Sequence, residues 1–169
     1  MASPDICVPW VISNEDFDPP RCETVMDSNG FRVISGINEK FWPAEFALIN
    51  AQPQALRLPM VVSFYTRRYW NTWLEQLTSN AIAAVTMDAD VNEGQKMGVS
   101  ILQEAVGACG SVVAVDGQFG PVTLAAVNSV PIARLLPSFQ AARESAYRKI
   151  GGPNLDAWLK RAAKIPPFD

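Results

Sequence analysis

Histidine is absent from this chain. Its absence excludes Ser-His-Asp and Cys-His nucleophilic catalysis, the common zinc hydrolase sites and histidine general bases together. Acid–base chemistry near neutral pH would then fall to carboxylates. Cysteine is scarce: Cys7, Cys22 and Cys109 are odd in number and have no metal-ligand spacing. A Cys7–Cys22 disulfide would require an oxidising compartment. Positive charge is not in excess. The formal net charge is -3 and the pI about 5.0, which argues against a nucleic-acid partner, since that partner calls for a basic face. No run of roughly 18 apolar residues occurs, so no membrane insertion is expected. The opening Met1-Ala2-Ser3-Pro4-Asp5 lacks a basic segment leading into an apolar stretch, so no signal peptide is expected and synthesis is assigned to the cytoplasm. No metal site and no cofactor is expected, and a monomer is the simplest state.

What is present is enough for a real core. With 49% hydrophobic and 18% charged residues over 169 positions, wholesale disorder is excluded and one domain is the simplest organisation. The key stretch runs from Val8 to Asn38. Val8-Pro9-Trp10-Val11-Ile12 reads as a short apolar helix ending on Glu15, followed by the turn-rich Asp16-Phe17-Asp18-Pro19-Pro20. A β-hairpin over residues 23–34 then pairs Glu23-Thr24-Val25-Met26-Asp27 with Phe31-Arg32-Val33-Ile34 through Ser28-Asn29-Gly30. Asn-Gly between two runs rich in β-branched residues is a strong hairpin signal. Ser35 to Asn38 reads as a turn.

Nearly everything beyond is helical. Pro43 opens a helix to Asn50, and Pro59 opens one to about Trp70. Ser79 caps a buried helix from Asn80 to about Val91, and Gln95 to Val106 follows with Met97, Ile101, Leu102 and Val106 inward. Pro121 starts a short helix to about Val127. Pro131 to Ile150 is two helices, or one broken at Pro137, with a stripe of Phe139, Ala142, Ala146 and Ile150. Asn154 caps a last helix to about Lys164. The expected class is α+β, predominantly α-helical and lysozyme-like, with one small β-hairpin.

Two acids on separate rigid elements across a gap are what glycosidic hydrolysis requires. Glu15 has Val11 and Ile12 one turn earlier, so its carboxyl would sit over apolar surface, a setting suited to a general acid. Asp27 at the hairpin would orient a water or stabilise positive charge on the sugar, although Asp before Ser-Asn-Gly is also an ordinary turn residue. Ser35 would hold that water with Asp27, or serve as a plain turn serine. Asp88 and Asp90 are two apart on one helix, face different ways and form no dyad, so Asp88 reads as structural. Trp42, Tyr65, Tyr69, Trp70 and Trp73 offer aromatic surface for sugars or for the core.

Two stretches together carry a resemblance. Leu102-Gln103 and the later Val115-Asp116-Gly117-Gln118-Phe119-Gly120-Pro121-Val122-Thr123 through Asn128 look like the C-terminal signature of glycoside hydrolase family 108. That family comprises bacterial and phage N-acetylmuramidases with a predicted peptidoglycan-binding C-terminal portion. Phe64 to Trp70 resembles its aromatic-basic segment, and Met87 to Gly94 its central helix. The family's Glu-Gly-Gly falls on Glu15-Asp16-Phe17, its Asp-x-Gly-Gly on Asp27-Ser28-Asn29-Gly30, and its Tyr-Gly-Ile on Ser35-Gly36-Ile37. Its expected threonine falls on about Val33, which leaves Ser35 as the substitute.

The resemblance implies a catalytic set of Glu15, Asp27 and Ser35, with Trp42, Tyr69 and Asn92 as substrate contacts. It implies that residues 1–94 carry catalysis and that residues 95–169 form a helical, peptidoglycan-binding-like segment, both within one lysozyme-like domain. The partner would be bacterial peptidoglycan, reached by a phage-type endolysin after release to the cell wall. The changed glycines and threonine keep a non-catalytic peptidoglycan-binding or interaction protein as the alternative.

Overall fold

The computed structural model describes all 169 residues. They form two compact units, Val8–Trp70 and a discontinuous one of Met1–Cys7 with Asn71–Asp169. The fold is α+β and predominantly helical, with a single small antiparallel sheet. No single helix is long and apolar enough to cross a membrane.

In Val8–Trp70 the helix α1 (Pro4–Glu15) supplies Val8, Val11 and Ile12 to the core, all fully buried. It starts four residues earlier than the sequence suggests. The hairpin pairs β1 (Thr24–Met26) with β2 (Arg32–Ile34), Val25 opposite Val33. A third strand, β3 (Ile37–Asn38), follows where the sequence reading has only a turn. Ile34 faces Ile37 across a two-residue connection, Ser35-Gly36, whose φ values are 44° and 80°. Two central residues with positive φ are the mark of the tight turn whose twist suits a hairpin. Both isoleucines are fully buried, which fixes the register.

Helix α2 (Pro43–Asn50) begins on proline, as expected, and buries Phe46 and Ile49. Helix α3 (Leu58–Tyr69) buries Val61, Phe64 and Tyr65, the three- and four-residue spacing of one helical face. Arg57 ties the loops between them: its guanidinium donates to the Cys22, Asn50 and Gln52 carbonyls and to Thr24 Oγ1. The cysteines are free thiols. Burial pushes the Cys7 thiol up to about 12 and also raises Cys22, so neither is a ready nucleophile.

In the second unit α4 (Thr72–Glu75) is a single turn capped by Asn71. Helix α5 (Asn80–Glu93) is buried on every side from Ala81 to Asp90, and Ser79 Oγ accepts from the Ile82 N–H as its cap. Helix α6 (Gln95–Ala108) packs on α5 and buries Val99, Ile101, Leu102, Ala105 and Val106. Met97, expected inward, is instead 40% exposed. Helices α7 (Pro121–Ser129), α8 (Ile132–Ile150) and α9 (Leu155–Ala162) complete the unit.

Two expectations for α8 change. It is one continuous helix, because Pro137 lies near its start and both Pro137 and Ala133, whose carbonyl loses its partner, are exposed to water. Its inner stripe is Leu135, Phe139, Arg143 and Tyr147, while Ile150 is 54% exposed. An arginine takes a core position because α5 meets it with charge. Arg143 Nη1 lies 2.7 Å from Asp88 Oδ2 and its Nε 3.0 Å from Glu93 Oε1. Arg161 of α9 completes the cluster, its Nη2 2.9 Å from Asp88 Oδ1. Burial alone would push the Asp88 carboxyl up, but Arg161 and Arg143 outweigh it and hold Asp88 below the usual carboxylate range. Asp88 is structural.

Asp90, one face away, has no such partner. Its Oδ1 is buried without a hydrogen bond, facing Gly98 of α6, where a Cβ would stand 2.2 Å from it. Burial, aided by the nearby Glu93 charge, raises its carboxyl well above the usual range. A folded state that holds a proton the unfolded chain releases loses stability as pH rises between the two values. Stability is therefore expected to fall above the ordinary carboxylate range with a slope approaching about 1.4 kcal/mol per pH unit. Asp90→Asn should flatten that slope, as read by urea unfolding over a pH series.

Candidate active site

The expected carboxylates lie in the Val8–Trp70 unit, on either side of β3. Glu15 ends α1, half-buried, and its carboxylate lies against Gly36. A Cβ on Gly36 would stand 2.8 Å from Glu15 Oε2 and 2.5 Å from the Tyr65 hydroxyl, so both polar groups converge on a position that only glycine leaves open. Positive φ demands glycine there for a second reason. The Tyr65 hydroxyl donates to the Ser35 carbonyl at 2.8 Å, anchoring α3 to the same turn. Gly36→Ala is expected to cost about 1–3 kcal/mol of stability, from backbone strain alone. It should also displace Glu15, so thermal unfolding and activity should fall together.

At the other end of β3, Asn38 donates through Nδ2 to Asp27 Oδ2 at 2.7 Å. Asp27 Oδ1 accepts from the Asn29 and Phe31 N–H groups, both at 2.9 Å. The Phe31 N–H contributes most, with Asn29, the Asn38 amide and Gly30 assisting, and together they hold the Asp27 carboxyl below its usual range. Asp27 is thus an anion with a fixed orientation. It closes the hairpin turn with the same bonds.

Ser35, read either as a partner of Asp27 or as a plain turn serine, sits in the turn. It is buried, and its Oγ donates to Asp16 Oδ2 at 2.7 Å rather than pairing with Asp27. The reason is local: Asp16, next to Glu15, also accepts from the Arg21 and Cys22 N–H groups through the same oxygen, so it gathers the loop after α1 onto the Ser35 turn. Sequence reasoning missed Asp16, Asn38 and the Tyr65 hydroxyl as site components.

Trp42 and Tyr69 join an aromatic cluster in the same unit. Trp42 meets Phe64 edge-on at 5.3 Å between centroids, Tyr69 lies 5.7 Å from Tyr65, and the Arg68 guanidinium sits 4.6 Å over the Trp42 ring. Both residues stay half-exposed. Asn92 belongs to the other unit, where its amide donates to the Tyr147 hydroxyl beside the Arg143–Glu93 pair. Trp73 also lies in that unit, paired with Phe119.

Comparison with known proteins bears on both units. Residues 97–163 match a family model described as "Predicted Peptidoglycan domain". The structure is similar to that of Brucella abortus SagA, with a TM-score of 0.67 and 24% identity over 95% of this chain and 89% of that one. No curated protein matches the sequence. The structural likeness establishes a shared fold, of the lysozyme-like α+β class, and the family match makes this a peptidoglycan-related protein.

Proposed function

We propose that the protein is a peptidoglycan hydrolase of the N-acetylmuramidase type, cutting the β-1,4 bond between N-acetylmuramic acid and N-acetylglucosamine. The observation that carries the reading is the placement of two carboxylates around one two-residue strand: Glu15 against Gly36 before β3 and Asp27 on Asn38 within it. Glu15 protonates the leaving glycosidic oxygen. Asp27, held anionic, stabilises the oxocarbenium-like transition state or orients the attacking water. Ser35 acts as a positioning residue: through Asp16 it secures the turn on which Glu15 rests. Trp42 and Tyr69 offer ring faces to the sugars, an apolar surface whose electron-rich face suits C–H groups. Asn92, engaged with Tyr147, has no step here. The resemblance to glycoside hydrolase family 108, with its phage endolysins acting at the cell wall, agrees with this reading.

The test is release of new reducing ends from purified peptidoglycan sacculi, with product masses showing one water added per cut. No release by the folded protein anywhere from roughly pH 4 to 8, the span in which carboxylate pairs work, would refute it. One observation favours a second reading, a non-catalytic binder: the Asp27 oxygens are both engaged in closing the hairpin. Co-sedimentation with sacculi in the absence of any reducing ends would identify that case.

A further inference from the structure

The short strand β3 puts Asn38 on the side of the sheet that Asp27 occupies. Side chains alternate along a strand, and Ile34 and Ile37 point into the core, so Val33 and Asn38 point the other way. Val25 pairs with Val33 and Val33 with Asn38, so the three side chains form one row across the sheet. Asp27 extends that face by one step, for its N–H continues the ladder to the Phe31 carbonyl. Gly36, against which the Glu15 carboxylate lies, comes two residues before Asn38.

The Asn38 amide cannot turn over. Its Oδ1 accepts from the Lys40 N–H at 2.8 Å, and its Nδ2 donates to Asp27 Oδ2 at 2.7 Å. A flip would set oxygen against carboxylate and N–H against N–H. An amide nitrogen carries two protons, and Asn38 uses one of them on Asp27. A carboxylate offers about four acceptor positions. Asp27 fills two on Oδ1 with the Asn29 and Phe31 N–H groups and one on Oδ2 with Asn38. One donor and one acceptor therefore stand side by side on two half-exposed residues, within reach of water. Gln103 shows the opposite case, an amide wholly committed to the protein. Buried beneath the Asp116–Phe119 loop, it accepts through Oε1 from the Asp116 and Gly117 N–H groups. Its Nε2 donates to Asp116 Oδ1, the Gln118 carbonyl and Thr123 Oγ1.

We propose that Asn38 is a catalytic residue that holds the attacking water together with Asp27. The role rests on the hydrolase reading above and adds to it the group that fixes the nucleophile. The second Nδ2 proton is donated to the water oxygen, and one water proton is donated to the open position on Asp27 Oδ2. Two anchors aim the remaining lone pair of the water, as attack on a single carbon atom requires. Val33, directly across from Asn38, adds no polar group to that row. When the bond from C1 to the leaving oxygen breaks, that oxygen takes the Glu15 proton. The water lone pair bonds to C1, and Asp27 Oδ2 takes the water proton, so one water is consumed per cut. Asp27 itself is a weak nucleophile, because three N–H donors share its charge, and the same donors keep it ionised as the proton acceptor. The step is therefore a single displacement with inversion, and the β-linked sugar is released as the α anomer.

The full-length protein and soluble glycan fragments of peptidoglycan suffice for the test. Wild type is first followed by proton NMR before mutarotation equilibrates the new reducing ends. The α anomer is expected first, and β first overturns the proposal with no variant needed. Asn38→Ala is then compared with wild type at equal folded fraction, set by urea unfolding. Its kcat should fall about 10- to 100-fold, the effect of one hydrogen bond to a group developing charge, with KM within about twofold. A share of its new ends should also lack the added water. With the water no longer held, the 6-hydroxyl of the same sugar closes on C1 and gives its proton to Asp27, leaving an anhydro end one water lighter by mass. If Asn38 merely braced Asp27, kcat would fall while every end still carried its water, and that result overturns the water contact. An unchanged kcat overturns it too. If wild type produces no new ends at all, the hydrolase reading fails and the role of Asn38 goes with it. Wild-type activity beside an unimpaired Asn38→Ala removes the role of Asn38 alone.

Discussion

Glu15→Gln protein should keep its circular dichroism spectrum and thermal midpoint while losing about two or more orders of magnitude in reducing-end release. The substitution changes one atom's chemistry and almost no volume. Glutamine can occupy the space beside Gly36 and Tyr65, but it has no proton to give the leaving oxygen. A solvated acid at a helix end would behave differently, since its loss would leave the rate near wild type. A mutant that retains wild-type activity would therefore remove Glu15 as the general acid. Asp27→Asn makes an instructive contrast, because that carboxylate also closes the hairpin. It should lower stability as well as rate, and only the rate at matched folded fraction reports on catalysis.

The largest stability effect is expected at Asp88. Asp88→Ala leaves the guanidiniums of Arg143 and Arg161 facing a cavity, and Arg143 is only 2% exposed. Removing one partner of a buried ion pair typically costs about 3–5 kcal/mol, because the surviving charge is stranded away from water. Urea unfolding should show that loss, and replacing Asp88, Glu93, Arg143 and Arg161 together with apolar side chains should recover much of it, since Glu93 would otherwise be stranded in turn. The wild-type cluster also has a pH signature. Asp88 binds protons more weakly folded than unfolded, so its contribution is complete above the ordinary carboxylate range and is lost as pH falls through the depressed folded value. Asp88→Ala should lack that acid-side decline. An unaltered acid limb in the mutant would mean that other carboxylates govern it.

The fold was most legible where backbone chemistry is local. Proline at a first helical position placed α2 at Pro43–Asn50, and a serine cap placed the start of α5 at Asn80. Asn29-Gly30 located the hairpin for the same reason. Legibility failed where a distant partner decides. The Arg143 and Tyr147 positions on α8 look polar until Asp88 and Glu93 are seen opposite, so the apolar stripe was assigned one residue away. Pro137 reads as a break only if its lost bond is buried, and it is not. The strand β3 is two residues long, too short for any periodicity, yet both candidate acids are organised around it. Glu15 and Asp27 were readable as candidate acids. The partner of Ser35 was not, since three loop groups converging on the neighbouring Asp16 is a tertiary event.

The amide of Gln103 has one consequence that a carboxylate in its place would not share. It is electrically neutral and titrates nowhere in the biological range, so the bonds its Oε1 accepts from the Asp116 and Gly117 N–H groups are indifferent to acidity, while the bond its Nε2 donates to Asp116 Oδ1 weakens once that carboxylate is protonated. The guanidinium–carboxylate clasp on α5, α8 and α9 is sensitive to acid, although it belongs to the same unit. Acidification would therefore act on the clasp through Asp88 and on the Asp116–Phe119 loop through Asp116, leaving the two Oε1 bonds of Gln103 in place. Gln103→Glu would couple the two, making the loop open and close with pH.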